Sequence, residues 1–302
     1  MITECDWTIT DMVNRLDEMN IDHAELRLPH LNNLRTKMCK PNASQCENAI
    51  AFRKLFPQYN ELHEVLFNDW SPSLESIRTI VESANKYIEV LNLTECKRFT
   101  HQSDFLSSVI PEMLLGLFNR LVSVAGKPYV VRSQDNVIIE VNIDAVAGGR
   151  LVLKKKRVDC GIFLPVDMSF RGELQKDFRI PIVVVEVKTN LDKNMISGIE
   201  YSVETMKRTF PACHYIVVSE MSDFAIGDLN YAATDIDEVF IIRKQKRGQF
   251  RRSKVRKNID PDLVWDICQV IEERIDGSST PVACIEERLR NGLLIGGIKC
   301  CE

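Results

Sequence analysis

Val158-Asp159-Cys160-Gly161-Ile162-Phe163-Leu164 and, about two dozen residues later, Pro181-Ile182-Val183-Val184-Val185-Glu186-Val187-Lys188 decide how this chain is read. An acidic residue opens the first apolar run, and the second ends in Glu-x-Lys. Strand side chains alternate between faces, so Glu186 and Lys188 project from one side while Val187 points to the other. Charges at the end of so apolar a strand are costly unless they are paired or hold a metal. Two carboxylates and a lysine converging on one spot suit metal-assisted hydrolysis of a phosphodiester.

The neighbouring segments supply an α/β frame. Upstream, Val137–Val146 alternates like a strand, and Gly148-Gly149 turns the chain into Leu151–Lys155. The run Ile182–Val187 is too short for a helix and rich in valine, which predicts a buried central strand. Downstream, Asn194–Phe210 reads as a helix and His214–Ser219 as another strand, so this stretch forms a right-handed βαβ crossover with parallel strands. Val239–Ile242 adds a further strand. Asp260-Pro261 caps a helix carrying Leu263, Val264, Ile267, Val270 and Ile271, and a last helix is expected over 281–290.

Before the sheet the pattern is helical. A helix follows Ser71-Pro72, with Leu74, Ile77, Ile80, Val81, Ala84, Ile88 and Leu91 at three- and four-residue spacing. Shorter helices are expected around Ile9–Leu16 and Ala43–Leu55. A long helix runs from Ser103 to about Val122; Pro111 inside it should kink or break it, and Glu112 stands beside that proline in apolar surroundings. These patterns divide the chain into a helical N-terminal domain, residues 1–98, and an α/β domain, residues 99–302.

Bulk composition narrows the function classes. The 302 residues are 45% hydrophobic and 27% charged, the balance of a soluble globular protein with a substantial core. No apolar run reaches the ~20 residues that span a bilayer, and an N-terminus bearing Glu4, Asp6 and Asp11 is no signal peptide, so no membrane association and a cytoplasmic location are expected. The ten cysteines lack CxxC spacing and read as reduced thiols without a zinc site. There is no GxGxxG, no GxxxxGK[ST] and no GxSxG, and the five histidines are isolated. Residues 1–95 carry nine Lys/Arg against fifteen Asp/Glu, so the remaining chain holds thirty against twenty-eight. Nucleic-acid binding depends on local patches, and they lie in this second part.

The succession of a helix with Glu112, paired strands, a strand with Asp159, a strand with Glu186-x-Lys188, a helix and a strand resembles the PD-(D/E)XK nuclease superfamily over roughly residues 100–245. Val158 stands where the first motif often has proline. The resemblance implies a restriction-endonuclease-like mixed sheet flanked by helices and cleavage of double-stranded DNA with Mg²⁺. By it, Asp159 and Glu186 hold the metal with the Val187 carbonyl and water, Lys188 polarises the attacking water, and Glu112 is a fourth member of the site. It also implies in-line attack leaving 5′-phosphate and 3′-hydroxyl ends. Lys188-Thr189-Asn190-Leu191-Asp192-Lys193-Asn194-Met195, with Ser103-Asp104-Phe105-Leu106-Ser107-Ser108-Val109-Ile110-Pro111-Glu112, further resembles type II restriction endonucleases of the BbvCI kind.

Two cationic stretches are the expected DNA contacts. Residues 243–257 hold nine cations, Arg243, Lys244, Lys246, Arg247, Arg251, Arg252, Lys254, Arg256 and Lys257, with Gly248 and Phe250 allowing a loop tip to enter a groove. Lys154, Lys155, Lys156 and Arg157 lie beside the Asp159 strand. One constellation cuts one strand, so a homodimer or heterodimer is expected. Two alternatives are a structure-specific repair or recombination nuclease and a non-catalytic DNA-binding subunit with the same fold.

Overall fold

The computed structural model describes residues 8–20, 25–39, 45–100, 103–144, 146, 148–170, 172–175, 178–223, 234–277 and 290. The helix expected over 281–290 lies outside them except for Arg290. The central element is the valine-rich strand β5 (Arg179–Leu191). It pairs antiparallel with β2 (Arg150–Pro165) and parallel with β6 (His214–Ser222). With β1 (Val130–Asp144) and β7 (Glu238–Ile241) they form a five-stranded sheet of order β1-β2-β5-β6-β7. The expected crossover is present: α8 (Lys193–Thr209), capped by the Asp192 side chain on the Met195 N–H, links parallel β5 and β6.

Leu151–Lys155 and Val158–Leu164, read separately from sequence, are one strand that forms a long hairpin with β1. Gly148 and Gly149 turn this hairpin at φ 71° and 73°, where a Cβ would be strained. A short hairpin, β3 (Met168–Phe170) with β4 (Glu173–Gln175), interrupts the approach to β5 and carries no periodic signal in the sequence.

Alternation along the strands sorts the core into two layers. Val183, Val185, Ile216 and Val218 join the helices on one face, while Val184, Tyr215 and Val217 meet Ile196, Ile199, Val203 and Met206 of α8 on the other. The helical face is built from α1 (Ile9–Asn20), α2 (Pro29–Met38), α3 (Gln45–Phe67), α4 (Leu74–Leu91), α5 (Lys97–Thr100), α6 (Ser103–Ser107), α7 (Val109–Ala125) and α10 (Pro261–Gly277). A single buried apolar cluster runs from Met12, Phe52 and Ile80 through Leu114 to Val185 and Ile267, so it crosses residue 98 without a break.

Two helix boundaries differ from the sequence reading. The helix begun near Ala43 runs to Phe67, through Pro57. The break expected at Pro111 occurs earlier, at Ser108; Pro111 then sits in the first turn of α7, where its missing N–H would have no intrahelical partner. Phe105–Ala125 is long and apolar enough to cross a membrane by length and composition alone, but most of it is buried against the rest of the fold. Cys39, Cys96, Cys160, Cys213 and Cys268 are free thiols. Cys46 is disulfide-bonded, against expectation, because sequence spacing does not report which thiols meet in space.

Candidate active site

The pairing of β2 with β5 begins at Cys160↔Val185, so Asp159 stands where the two strands part. There Asp159 Oδ2 accepts the Val187 N–H at 2.8 Å. Gly161 keeps the strands close at this point: a Cβ would lie 2.9 Å from the Val183 carbonyl oxygen. The sheet register thus brings Asp159, Glu186, Val187 and Lys188 together, as the alternation of β5 had suggested.

Glu186 is held from both sides. Lys188 Nζ lies 2.8 Å from its Oε1, and Lys156 Nζ lies 2.9 Å from its Oε2. Tyr215 donates its hydroxyl to the same Oε2 at 2.5 Å, and Lys156 also reaches the Tyr215 oxygen at 3.2 Å. Burial would raise the Glu186 carboxyl, but the Lys156 charge and the bonds from Lys188 and Tyr215 hold it at about 2. Asp159 moves the other way. Burial raises it, and the Glu186 charge adds to the rise, against the Val187 N–H and the lysine charges. Neighbouring carboxylates with opposite shifts are a recurrent sign of a chemical site.

The donor set fits a hard divalent cation. Asp159 and Glu186 supply carboxylate oxygens, and Mg²⁺ needs only one or two of these because it keeps several waters. Among the described residues no group of three or more His, Cys, Asp or Glu side chains gathers.

Glu112 is not brought to this group. Its Oε2 accepts the N–H groups of His30 at 2.7 Å and Leu31 at 3.0 Å, and its Oε1 accepts the Tyr59 hydroxyl at 2.6 Å. His30 in turn bonds Tyr87 Oη at 2.6 Å and Ser108 Oγ at 2.9 Å. Only 4% of Glu112 is exposed, and burial pushes its carboxyl up to about 7 against those hydrogen bonds. The first turn of α7 points this carboxylate at α2 and α3.

The basic tract is an ordered scaffold with some free cations. It opens as a turn, forms the short helix α9 (Arg247–Ser253), and returns to α10, fixed by Asn85 through two hydrogen bonds to the Ile259 main chain. Arg243 departs from its expected role: it is buried, with Nε 2.7 Å from the buried Glu220, which also takes Arg256 at 3.2 Å. Lys244 pairs with Asp260, Arg247 with Asp223, and Lys257 donates to the Lys244 carbonyl. On the hairpin, Lys154 pairs with Glu140 and Arg157 donates to Gln134. Lys155, Lys246, Arg251, Arg252 and Lys254 are exposed and have no ion-pair partner among the described residues.

Tyr215 is the member of this group that sequence reasoning missed, and Lys156, expected as a DNA contact, instead pairs with Glu186. A regular strand places residues 156 and 159 on opposite faces. The loss of β5 pairing below Cys160 lets Lys156 reach Glu186 from a stretch bonded only to β1. Tyr215 opens the run Tyr215-Ile216-Val217-Val218, a pattern that does not mark which side chain meets a carboxylate. Its parallel register beside Val184 is the feature that points it towards Glu186.

A family model described as Bpu10I restriction endonuclease matches residues 148–262, a span that contains Asp159, Glu186, Lys188, Lys156, Tyr215 and the basic tract. A solved structure of the native BbvCI A2B2 tetramer matches with a TM-score of 0.63 and 28% identity, covering 84% of this chain and 97% of that one. No curated protein matches the chain. The family match and the structural match support a type II restriction endonuclease with a PD-(D/E)XK-like fold.

Proposed function

We propose that this chain is a cutting subunit that hydrolyses one strand of double-stranded DNA per site, with Mg²⁺ at Asp159 and Glu186. The observation that carries this reading is the Asp159–Val187 hydrogen bond beside the Glu186–Lys188 ion pair, at the point where β2 and β5 part. Bound there, the cation would neutralise the scissile phosphate and favour ionisation of water. The main chain of Val187 fixes Asp159, and Glu186 anchors the Lys188 ammonium next to the reacting group. Lys188, 31% exposed, is placed to hold the attacking water and to stabilise the charge that builds on phosphorus. Water adds to phosphorus, the P–O3′ bond breaks, and the proton leaves with the 3′-oxygen, giving 5′-phosphate and 3′-hydroxyl ends.

Lys155, Arg251, Arg252 and Lys254 are the cations we assign to the phosphate backbone, with Lys154 and Arg157 beside the cut strand. Two copies, or this chain with a second subunit, would cut both strands, and the helices of residues 1–98 serve that contact or grip the duplex. Work on DNA puts the protein in the cytoplasm. A complete Asp159/Glu186/Lys188 set supports an active subunit over a non-catalytic one.

Digestion of plasmid with Mg²⁺ tests the reading. Wild type should give discrete fragments with 5′-phosphate ends, and Lys188→Ala and Asp159→Ala should give none. Equal cutting by all three removes the proposed site, and cutting only at flaps or junctions replaces sequence recognition with structure recognition.

A further inference from the structure

Two ammonium groups on one carboxylate are more than the proposed hydrolysis uses, and the second is unexplained. Glu186 is 13% exposed and carries Lys188 on Oε1 and Lys156 on Oε2. With Asp159 the four groups sum to zero, so the set is balanced without any metal. Bringing a dication into it adds two positive charges beside two ammoniums, an unfavourable arrangement in a partly desolvated site. One ammonium must move.

The strand pairing identifies which. Lys188 is fixed on β5, which is hydrogen-bonded to β6 through Lys188↔Ser219. Lys156 lies on the part of β2 that pairs with β1 alone, through Val137↔Lys156. Its stem passes the Tyr215 ring, with Nζ 5.8 Å from the centroid, and the Tyr215 hydroxyl keeps its own bond to Oε2. Tyr215 can therefore hold the Glu186 carboxylate in place after Lys156 departs.

Resting on the nuclease reading above, we propose that Lys156 is the resident counter-cation of the site: it occupies Glu186 Oε2 when no divalent cation is bound and competes with the cation for that oxygen. Lys156 is thus a positioning residue that keeps the Glu186 carboxylate oriented before the cofactor arrives. Once displaced, its ammonium is free for a DNA phosphate, so metal and DNA favour each other's binding by linkage.

Calorimetric titration of Mn²⁺ into the full chain without DNA tests this. Lys156→Met and Lys156→Gln, both neutral, should bind Mn²⁺ about tenfold tighter than wild type, the worth of one charge-assisted hydrogen bond, while nicking plasmid more slowly. Lys156→Arg keeps a cation on Oε2 and should return the affinity to within about twofold of wild type. An unchanged or weaker affinity in both neutral variants overturns the assignment. The nuclease reading fails on different results: no cutting by wild type with Mg²⁺, or an Asp159→Asn variant that binds Mn²⁺ as wild type does.

Discussion

Glu112 and Glu186 look alike in sequence, each a carboxylate set in an apolar segment, yet they end in opposite chemical states. Glu112 lies in the helical layer and accepts only neutral donors, two amides and a tyrosine hydroxyl; its carboxyl stands at about 7. Glu186 lies in the sheet and accepts from two lysines and a tyrosine; its carboxyl stands at about 2. Burial pushes both carboxyls up, so burial does not separate the two. The charge of the partners does.

The comparison breaks most visibly on cleavage. Glu186→Gln removes the charge that gathers the lysines and should slow plasmid nicking by at least about a hundredfold, with the fold kept. Glu112→Gln places an amide N–H₂ against donors, so it should cost about 1–3 kcal/mol of stability. Its nicking rate per folded molecule should stay within about twofold of wild type. If Glu112→Gln cuts as poorly as Glu186→Gln while melting like wild type, the two carboxylates belong to one site after all.

Arg243 and Glu220 extend the contrast to the basic tract. Their side chains are 2% and 3% exposed, so removing Arg243 leaves the buried Glu220 with Arg256 as its remaining ion-pair partner among the described residues. Arg243→Ala should lower the free energy of unfolding by about 3–5 kcal/mol in urea titration. A loss below about 1 kcal/mol would mean that Arg243 faces solvent and is available to DNA after all.

The helical cluster also has a pH signature. Glu112 stands at about 7 against 4.5 for the free group, so its contribution to stability is complete below pH 4.5 and is lost as pH rises to 7. His30, pushed by burial to about 3 from 6.5, contributes above pH 6.5 and loses that as pH falls. Between pH 4.5 and 6.5 the two slopes oppose. The stability difference between wild type and Glu112→Gln should therefore shrink steadily from pH 4.5 to 7. A difference that is flat across this range, measured by urea midpoints at constant ionic strength, would show that Glu112 ionises freely.

The alternation of β5 and the β5–α8–β6 crossover were legible because period-two and period-3.6 patterns are local, and with them came Asp159, Glu186 and Lys188. The partners of Glu112 were not. They come from α2 and α3, roughly fifty to eighty residues away, and no local pattern reports so distant a meeting. Lys156 was legible as a cation beside the Asp159 strand, a DNA contact, but not as a partner of Glu186, because its approach depends on where the β2–β5 ladder stops. Arg243 was hidden among eight other cations of the tract, since charge counting does not register burial.

That last confusion sets the finest test of the comparison between structural and functional charge. Arg251, Arg252 and Lys254 are exposed, on or just after α9, and have no ion-pair partner among the described residues, whereas Arg243 a few positions earlier is spent inside. Replacing Arg251 or Arg252 by Ala should leave the urea midpoint unchanged, because among the described residues neither side chain has an ion-pair partner. DNA affinity should fall, and the slope of log K against log salt should become shallower by about one for each phosphate contact removed. The loss should be uniform across duplexes of different sequence, since backbone contacts carry no base information. A loss confined to the recognition sequence would move these arginines from the phosphates to base edges, and an unchanged salt slope would remove α9 from the DNA interface.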